Sequence, residues 1–271
     1  MKKGWKVFWI TCAITAGIGV VCCAAAFGLG VTVETMSEYF PYGIGWVDRR
    51  SVDASKYIAE DIVESYQEVN EIDMDIAAGK VEILVSDSPD VRVETDGISE
   101  KLKFRCYMDG RELKLETSEH IRHIVNAGIG TIYLYVPREM RFDEVSMQVG
   151  VGELYVESVC ARDLSVKVGA GSAVIDEFRA DEAGFECGTG EIAASGDVER
   201  ELDIETGVGN IECNMAGSES DYNYDIGCDI GQVTCGEREY SGLARNTEID
   251  NHAGKSMDIE CGIGNVTVNF R

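Results

Sequence analysis

The side chains able to do chemistry in this chain are few, and their spacing does not bring them together. Only three histidines occur, His120, His123 and His252. None stands in a motif with a nucleophilic Ser or Cys and an orienting carboxylate, the set that nucleophilic catalysis needs. His123 falls at an inward position of the repeat described below, which suits a buried or satisfied imidazole. The ten cysteines show no CxxC or Cys/His cluster of the kind that holds zinc. Cys12, Cys22 and Cys23 lie in an N-terminal apolar run. Cys187, Cys228 and Cys261 share one inward column of the repeat, and Cys213 and Cys235 share another, as small buried apolar residues do. Stacked pairs such as Cys213 with Cys235, or Cys228 with Cys261, would stand about one strand spacing apart, ~4.8 Å, which a disulfide just spans. Parallel side chains in register would strain such a bridge, so bridged and free thiols both stay open.

Carboxylates offer the sharpest chemical possibility. One outward column reads Ser146, Ser165, Gly184, Asp203, Asp225, Asp258, and the next includes Glu186, Glu205 and Glu260. Like charges stacked on adjacent strands repel, and a bound Ca²⁺ would relieve that through oxygen ligands. Asp203, Asp225 and Asp258 are therefore the metal candidates. Against them, the nonapeptide calcium signature is absent and Lys167 interrupts the column. Solvation and protection of sheet edges is the plainer reading. No cofactor is called for, because the glycine pairs lie between short strands and do not open a helix. An enzymatic alternative, cleavage of envelope polysaccharide, needs acids or bases converging in a loop-built cleft. Here Arg162, Arg179 and Arg200 are spread along the chain at nearly the repeat period.

The elements carrying these residues repeat. VSMQVGVGELYV (145–156), LSVKVGAGSAVI (164–175), AGFECGTGEIAA (183–194) and LDIETGVGNIEC (202–213) share one grammar: apolar alternation into Gly-x-Gly, then alternation again. Alternation is the period of a strand with one buried face. Five inward columns run through the four copies, beginning Val145, Met147, Val149, Leu154 and Val156. Matching segments occur at 72–83, 123–134, 224–235 and 257–268. The second glycines of the eight copies, taken as turn glycines, are Gly79, Gly130, Gly152, Gly171, Gly190, Gly209, Gly231 and Gly264. Glycine suits a corner because it tolerates positive φ and has no Cβ in the way. One such unit cannot bury its own face, so the fold class is all-β, a single-stranded parallel β-solenoid of about eight coils, with copies stacked in sequence order. Asp229 replaces the first glycine of one copy. Asp109-Gly110, between two alternating runs, reads as a hairpin turn.

Composition bounds the partners. With 24 Lys and Arg against 49 Asp and Glu, the net charge is -25. A nucleic-acid or anionic-membrane surface needs the opposite balance. Residues 1–6 form a basic tail, and Val7 to Val33 run without a charge, long enough to span a bilayer as one helix. Lys2, Lys3 and Lys6 place the amino terminus in the cytoplasm and the rest outside. A cleaved signal peptide with Ala24 and Ala26 at its site is the rival reading. Residues 34–70 read as a juxtamembrane linker with a short helix, since Val52, Tyr57, Ile58, Ile62, Val63 and Tyr66 recur near helical spacing. Residues 71–271 are the solenoid. Its last strand, NVTVNFR, stops without an obvious cap, so strand addition to a C-terminal edge is expected, unless the chain merely ends there or residues 236–256 fold over it.

The apolar N-terminal helix, IDMDIAAGKVEI (72–83), the Asp109-Gly110 hairpin, IYLYVPREMRFDEVSMQVGVGELYV (132–156) and the iterated Gly-x-Gly units together resemble the bacterial putative-adhesin family of β-solenoid domains. The resemblance covers residues 70–271. It implies a surface-exposed binding domain of largely unassigned function, with some members tied to envelope-stress operons, and it brings no catalytic motif. The expected role is a membrane-anchored extracytoplasmic module that binds or scaffolds at the envelope, with polysaccharide or protein as ligand.

Overall fold

Alternation in the sequence becomes burial in the structure. The protein is described by a computed structural model over residues 58–118 and 130–271. All twenty inward positions of the four 19-residue copies, from Val145 to Cys213, are buried. The described residues are all-β, with eleven strands in one sheet system and two short 3-10 turns. Among them no helix is long and apolar enough to cross a membrane. The proposed spanning segment, 7–33, lies outside the described residues, as do His120, His123 and most of the linker.

The strands are β1 (Val63–Tyr66), β2 (Glu71–Ser86), β3 (Val91–Asp96), β4 (Arg105–Asp109), β5 (Glu112–Glu116), β6 (Thr131–Pro137), β7 (Phe142–Val156), β8 (Val159–Met215), β9 (Tyr222–Cys235), β10 (Arg238–Ile249) and β11 (Lys255–Phe270). From β2 through β7 into β8 the pairing is parallel and in register, Val145 opposite Ile72 and Leu164 opposite Val145. Strand β8 turns through three successive copies, and its glycines show how they stack. Gly171 has φ +140°, and a carbon at its Cβ position would lie 1.9 Å from the Gly152 carbonyl oxygen. Only glycine permits that approach and that backbone angle together.

Sequence order fails at both ends of the ladder. Strand β11 pairs in parallel with the last turn of β8 on one side and with β9 on the other. The expected succession 209, 231, 264 is thus corrected to 209, 264, 231. The reason is edge occupancy: β9 closes a two-residue turn at Gly236 and Glu237 onto its antiparallel partner β10, which takes its outer edge. Strand β11 can then pair only on the inner one. The other end repeats the arrangement. There β6 is paired on its outer edge by antiparallel β3, and β2 enters on the inner edge, between β6 and β7. The glycine order there is 130, 79, 152.

Three further expectations change. The copy at 123–134 is composite: its second half is β6, but the place beside the first half of β2 is filled by β5, the second arm of the hairpin at Asp109 and Gly110. Val63 and Tyr66, read as part of a helix, belong to β1, whose backbone is satisfied by pairing with β3. The open C-terminal edge does not exist, because β11 has a neighbour on each side. Nor do residues 236–256 fold over it, since β10 lies beyond β9.

Candidate functional site

The corrected order decides which chemical groups meet. Asp258 stands in register with Asp203 on one side and Asp225 on the other, and Asp225 is opposite Glu248. Four carboxylates therefore cross four adjacent strands. Glu260 and Glu205 form a second pair beside them. None of these six has an ion-pair partner among the described residues. Lys167, in the column of Glu205, is taken by Glu186 at 2.8 Å. Burial raises the carboxyl pKa of Asp203, and Glu201 and Asp258 add to the shift. Burial likewise raises that of Asp258, helped by Asp225 and Glu260. The candidate metal residues are thus brought together as a row. Among the described residues, though, no three His, Cys, Asp or Glu side chains form a group able to hold a metal ion. Side chains in register on parallel strands project side by side and do not converge.

The cysteines follow the same register. Cys261 is opposite Cys228, as the sequence suggests, and Thr206 occupies the other side of Cys261. Cys213 and Cys235 are not neighbours, because Val268 lies between them. The seven described cysteines are free thiols. Burial pushes the Cys213 and Cys235 thiols up to about 12, so both are poor nucleophiles. His252 is exposed and pairs with Asp250 at 3.2 Å.

Two surface features escape a reading by columns of one repeat. The middle residue of Gly-x-Gly points outward at the corner, and Val208, Ile263 and Ile230 form an exposed apolar ridge there, each about half accessible at 49%, 50% and 55%. The second feature is aromatic. Tyr133 of β6, Glu82 of β2 and Tyr155 of β7 stand in one row on the outward face, and Tyr135 lies two residues beyond Tyr133 on the same side. The Tyr133 and Tyr135 rings stack with centroids 6.5 Å apart and planes at 23°. Arg92 of β3 sits over the Tyr135 ring at 4.3 Å and pairs with Glu94 at 2.8 Å. The Tyr155 hydroxyl donates to Asp176 at 2.6 Å. That bond raises the Tyr155 pKa to about 12. The tyrosines are visible in IYLYVP and GELYV, but their spacing is set by β2, which enters between β6 and β7 and puts Glu82 between Tyr133 and Tyr155.

Comparison with curated proteins gives no match. Among solved structures, a putative cell adhesion protein from Clostridium sporogenes is similar at 12% identity with a TM-score of 0.43, over 78% of this chain and 99% of that one. A putative adhesin from Bacteroides fragilis is similar at 14% identity and a TM-score of 0.34, over 77% and 97%. A putative lipid binding protein from Parabacteroides distasonis is similar at 15% identity and a TM-score of 0.29, over 76% and 96%. The family described as Toastrack DUF4097 matches residues 69–271. That match takes in nearly all of the described strands, and the chain belongs to the Toastrack DUF4097 family.

Proposed function

We propose that this protein is a membrane-anchored β-solenoid of about eight coils that presents a non-catalytic binding and scaffolding surface outside the cytoplasm. The observation that carries the reading is the register of the stack. Corner glycines abut one another from Gly79 through Gly152, Gly171, Gly190, Gly209 and Gly264 to Gly231. Stacking of this kind makes a stiff ladder in which equivalent outward positions recur at a fixed spacing. Such a surface suits display. It does not suit catalysis, which needs groups converging in a cleft. Of Arg162, Arg179 and Arg200, the basic residues considered for an enzymatic role, Arg162 and Arg200 are ion-paired to Asp163 and Glu182 on separate turns.

The anchor is residues 7–33, with the basic tail 1–6 inside, a linker over 34–70 and the solenoid over 71–271. The acidic domain then faces outward, on the side opposite the lysines. Alkaline extraction of membranes and protease treatment of intact cells test this arrangement. The full chain should stay with the membrane, and its strand domain should be cut from outside. Capture from intact envelope tests the binding role. Recovery of the chain in the soluble fraction, or protection of the domain in intact cells, would overturn the anchored reading.

A further inference from the structure

We propose that the outward face of β3, β6, β2 and β7 is a platform for a neutral, extended pyranose polymer, with Tyr133 and Tyr155 supplying the ring faces and Tyr135, covered by Arg92, bracing the Tyr133 ring. The proposal rests on the reading of this domain as a binding module and gives that module a ligand class and a location.

The fold does not need these tyrosines. Their side chains are outward, half-buried and outside the five core columns. In the column of Tyr155, later turns carry Val174, Ala193, Glu212 and Thr267 with the same ladder intact. Aromatic residues are therefore concentrated where the stack could carry any strand-compatible residue. Tyr and Arg clustered on a surface mark where binding energy is gathered.

The geometry suits sugar rings. Tyr133 and Tyr155 stand on either side of Glu82, two strand spacings of ~4.8 Å apart. That is about the length of two pyranose rings joined end to end. The C–H face of a pyranose is apolar and weakly positive, so it packs on the negative face of an aromatic ring. Its equatorial hydroxyls then point sideways, where Glu82, Glu94, Asp176 and the Arg92 guanidinium can bond them. The rings are already held, Tyr133 by stacking on the Arg92-braced Tyr135 and Tyr155 by Asp176, so little side-chain entropy is lost on binding.

Charge selects the ligand further. Each cation of the patch is neutralised within it, Lys80 by Glu82 at 2.7 Å and Arg92 by Glu94 at 2.8 Å. What remains is a surface of hydrogen-bonding dipoles on a strongly acidic domain. An anionic polymer is repelled by it. A purely apolar partner would bury the carboxylates that alternate with the rings. A neutral polyol satisfies both.

The test is retention of the full chain on suspended chitin and cellulose, two neutral pyranose polymers, with anionic polygalacturonate as a third arm. The wild type should be retained on at least one neutral polymer and not on polygalacturonate. Tyr133→Ala with Tyr155→Ala should lower retention about tenfold or more, the effect of losing ~1.4 kcal/mol of binding. Val208→Ser with Ile263→Ser, on the corner ridge, should leave it unchanged. Circular dichroism and melting temperature establish that each variant is folded. No retention on either neutral polymer, equal retention of the tyrosine variant, or equal retention on polygalacturonate would overturn the proposal. If the polymers fail while envelope capture yields a protein whose binding the tyrosine variant abolishes, the glycan proposal falls and the binding-module reading stands. Failure of both removes both.

Discussion

Gly264 abuts Gly209, although Gly231 stands between them in the chain: a carbon at the Gly264 Cβ position would lie 1.8 Å from the Gly209 carbonyl oxygen. The last strand is therefore an insertion into the stack and not its end. The contact is long-range and forms only when β8, the β9–β10 hairpin and the C-terminal segment have all been made. Closing such distant contacts is the slow part of folding a β protein.

Cysteine cross-linking reads this order directly. Asn265 donates a hydrogen bond to Asn210 at 3.1 Å, and the two are in register. Gln232 is in register with Asn265 on its other side. Asn210→Cys with Asn265→Cys should therefore oxidise to a disulfide that mass spectrometry detects. Asn210→Cys with Gln232→Cys, ~9.6 Å apart, should not, because that exceeds disulfide reach. The reverse result would restore sequence order.

Gly171 and Gly184 differ sharply in what a methyl group would meet. Gly171→Ala forces a side chain into φ +140° and against the Gly152 carbonyl. It should destabilise the domain by about 3 kcal/mol, which calorimetry would read as a fall in Tm of about 6–12 °C. At Gly184 nothing lies within 4 Å of an added Cβ. Gly184→Ala should stay within about 0.5 kcal/mol of the wild type.

The Thr206 hydroxyl is buried without a hydrogen-bond partner, at 2% exposure, in the column of Cys187 and Cys261. An unpaired buried hydroxyl carries its desolvation cost with no return. Thr206→Val keeps the shape and removes that cost, so stability should rise by about 1 kcal/mol. A fall in Tm would show that the hydroxyl has a partner in solution.

Asp203 and Asp258 are held above the ordinary carboxyl pKa of 3.8 by burial first and then by neighbouring carboxylates, Glu201 and Asp258 at Asp203 and Asp225 and Glu260 at Asp258. A carboxyl whose folded pKa is raised prefers its neutral form in the folded state. Its contribution to stability is full below the unfolded pKa and is lost as pH rises through the folded one. Asp258→Asn should therefore raise Tm at pH 7, and the gain should shrink as pH falls toward the ordinary carboxyl range. Salt should shrink it too, by screening the row. A gain equal at all pH values would point to packing instead.

The envelope of the structure was legible from alternation alone. Each residue's side of the strand is set by its parity, so Val145, Met147 and Val149 had to be inward once any one of them was. The corner glycines Gly152, Gly171, Gly190 and Gly264 were equally legible, because a position that needs both positive φ and a missing Cβ admits one residue type. Cys261 beside Cys228 could be read the same way. The separation of Cys213 from Cys235 by Val268 could not, nor could the order Asp203, Asp258, Asp225, nor the entry of Glu82 between Tyr133 and Tyr155.

The physical reason is that the repeat is degenerate. Every copy presents the same pattern of apolar columns, so any copy can stack on any other at nearly the same energy, and the sequence by itself determines register but not neighbour order. Tertiary structure decides the order through edges. Hairpin partner β10 occupies the outer edge of β9, and β3 occupies that of β6, leaving β11 and β2 one place each. A strand edge can pair only once, and that constraint belongs to no single segment of the chain.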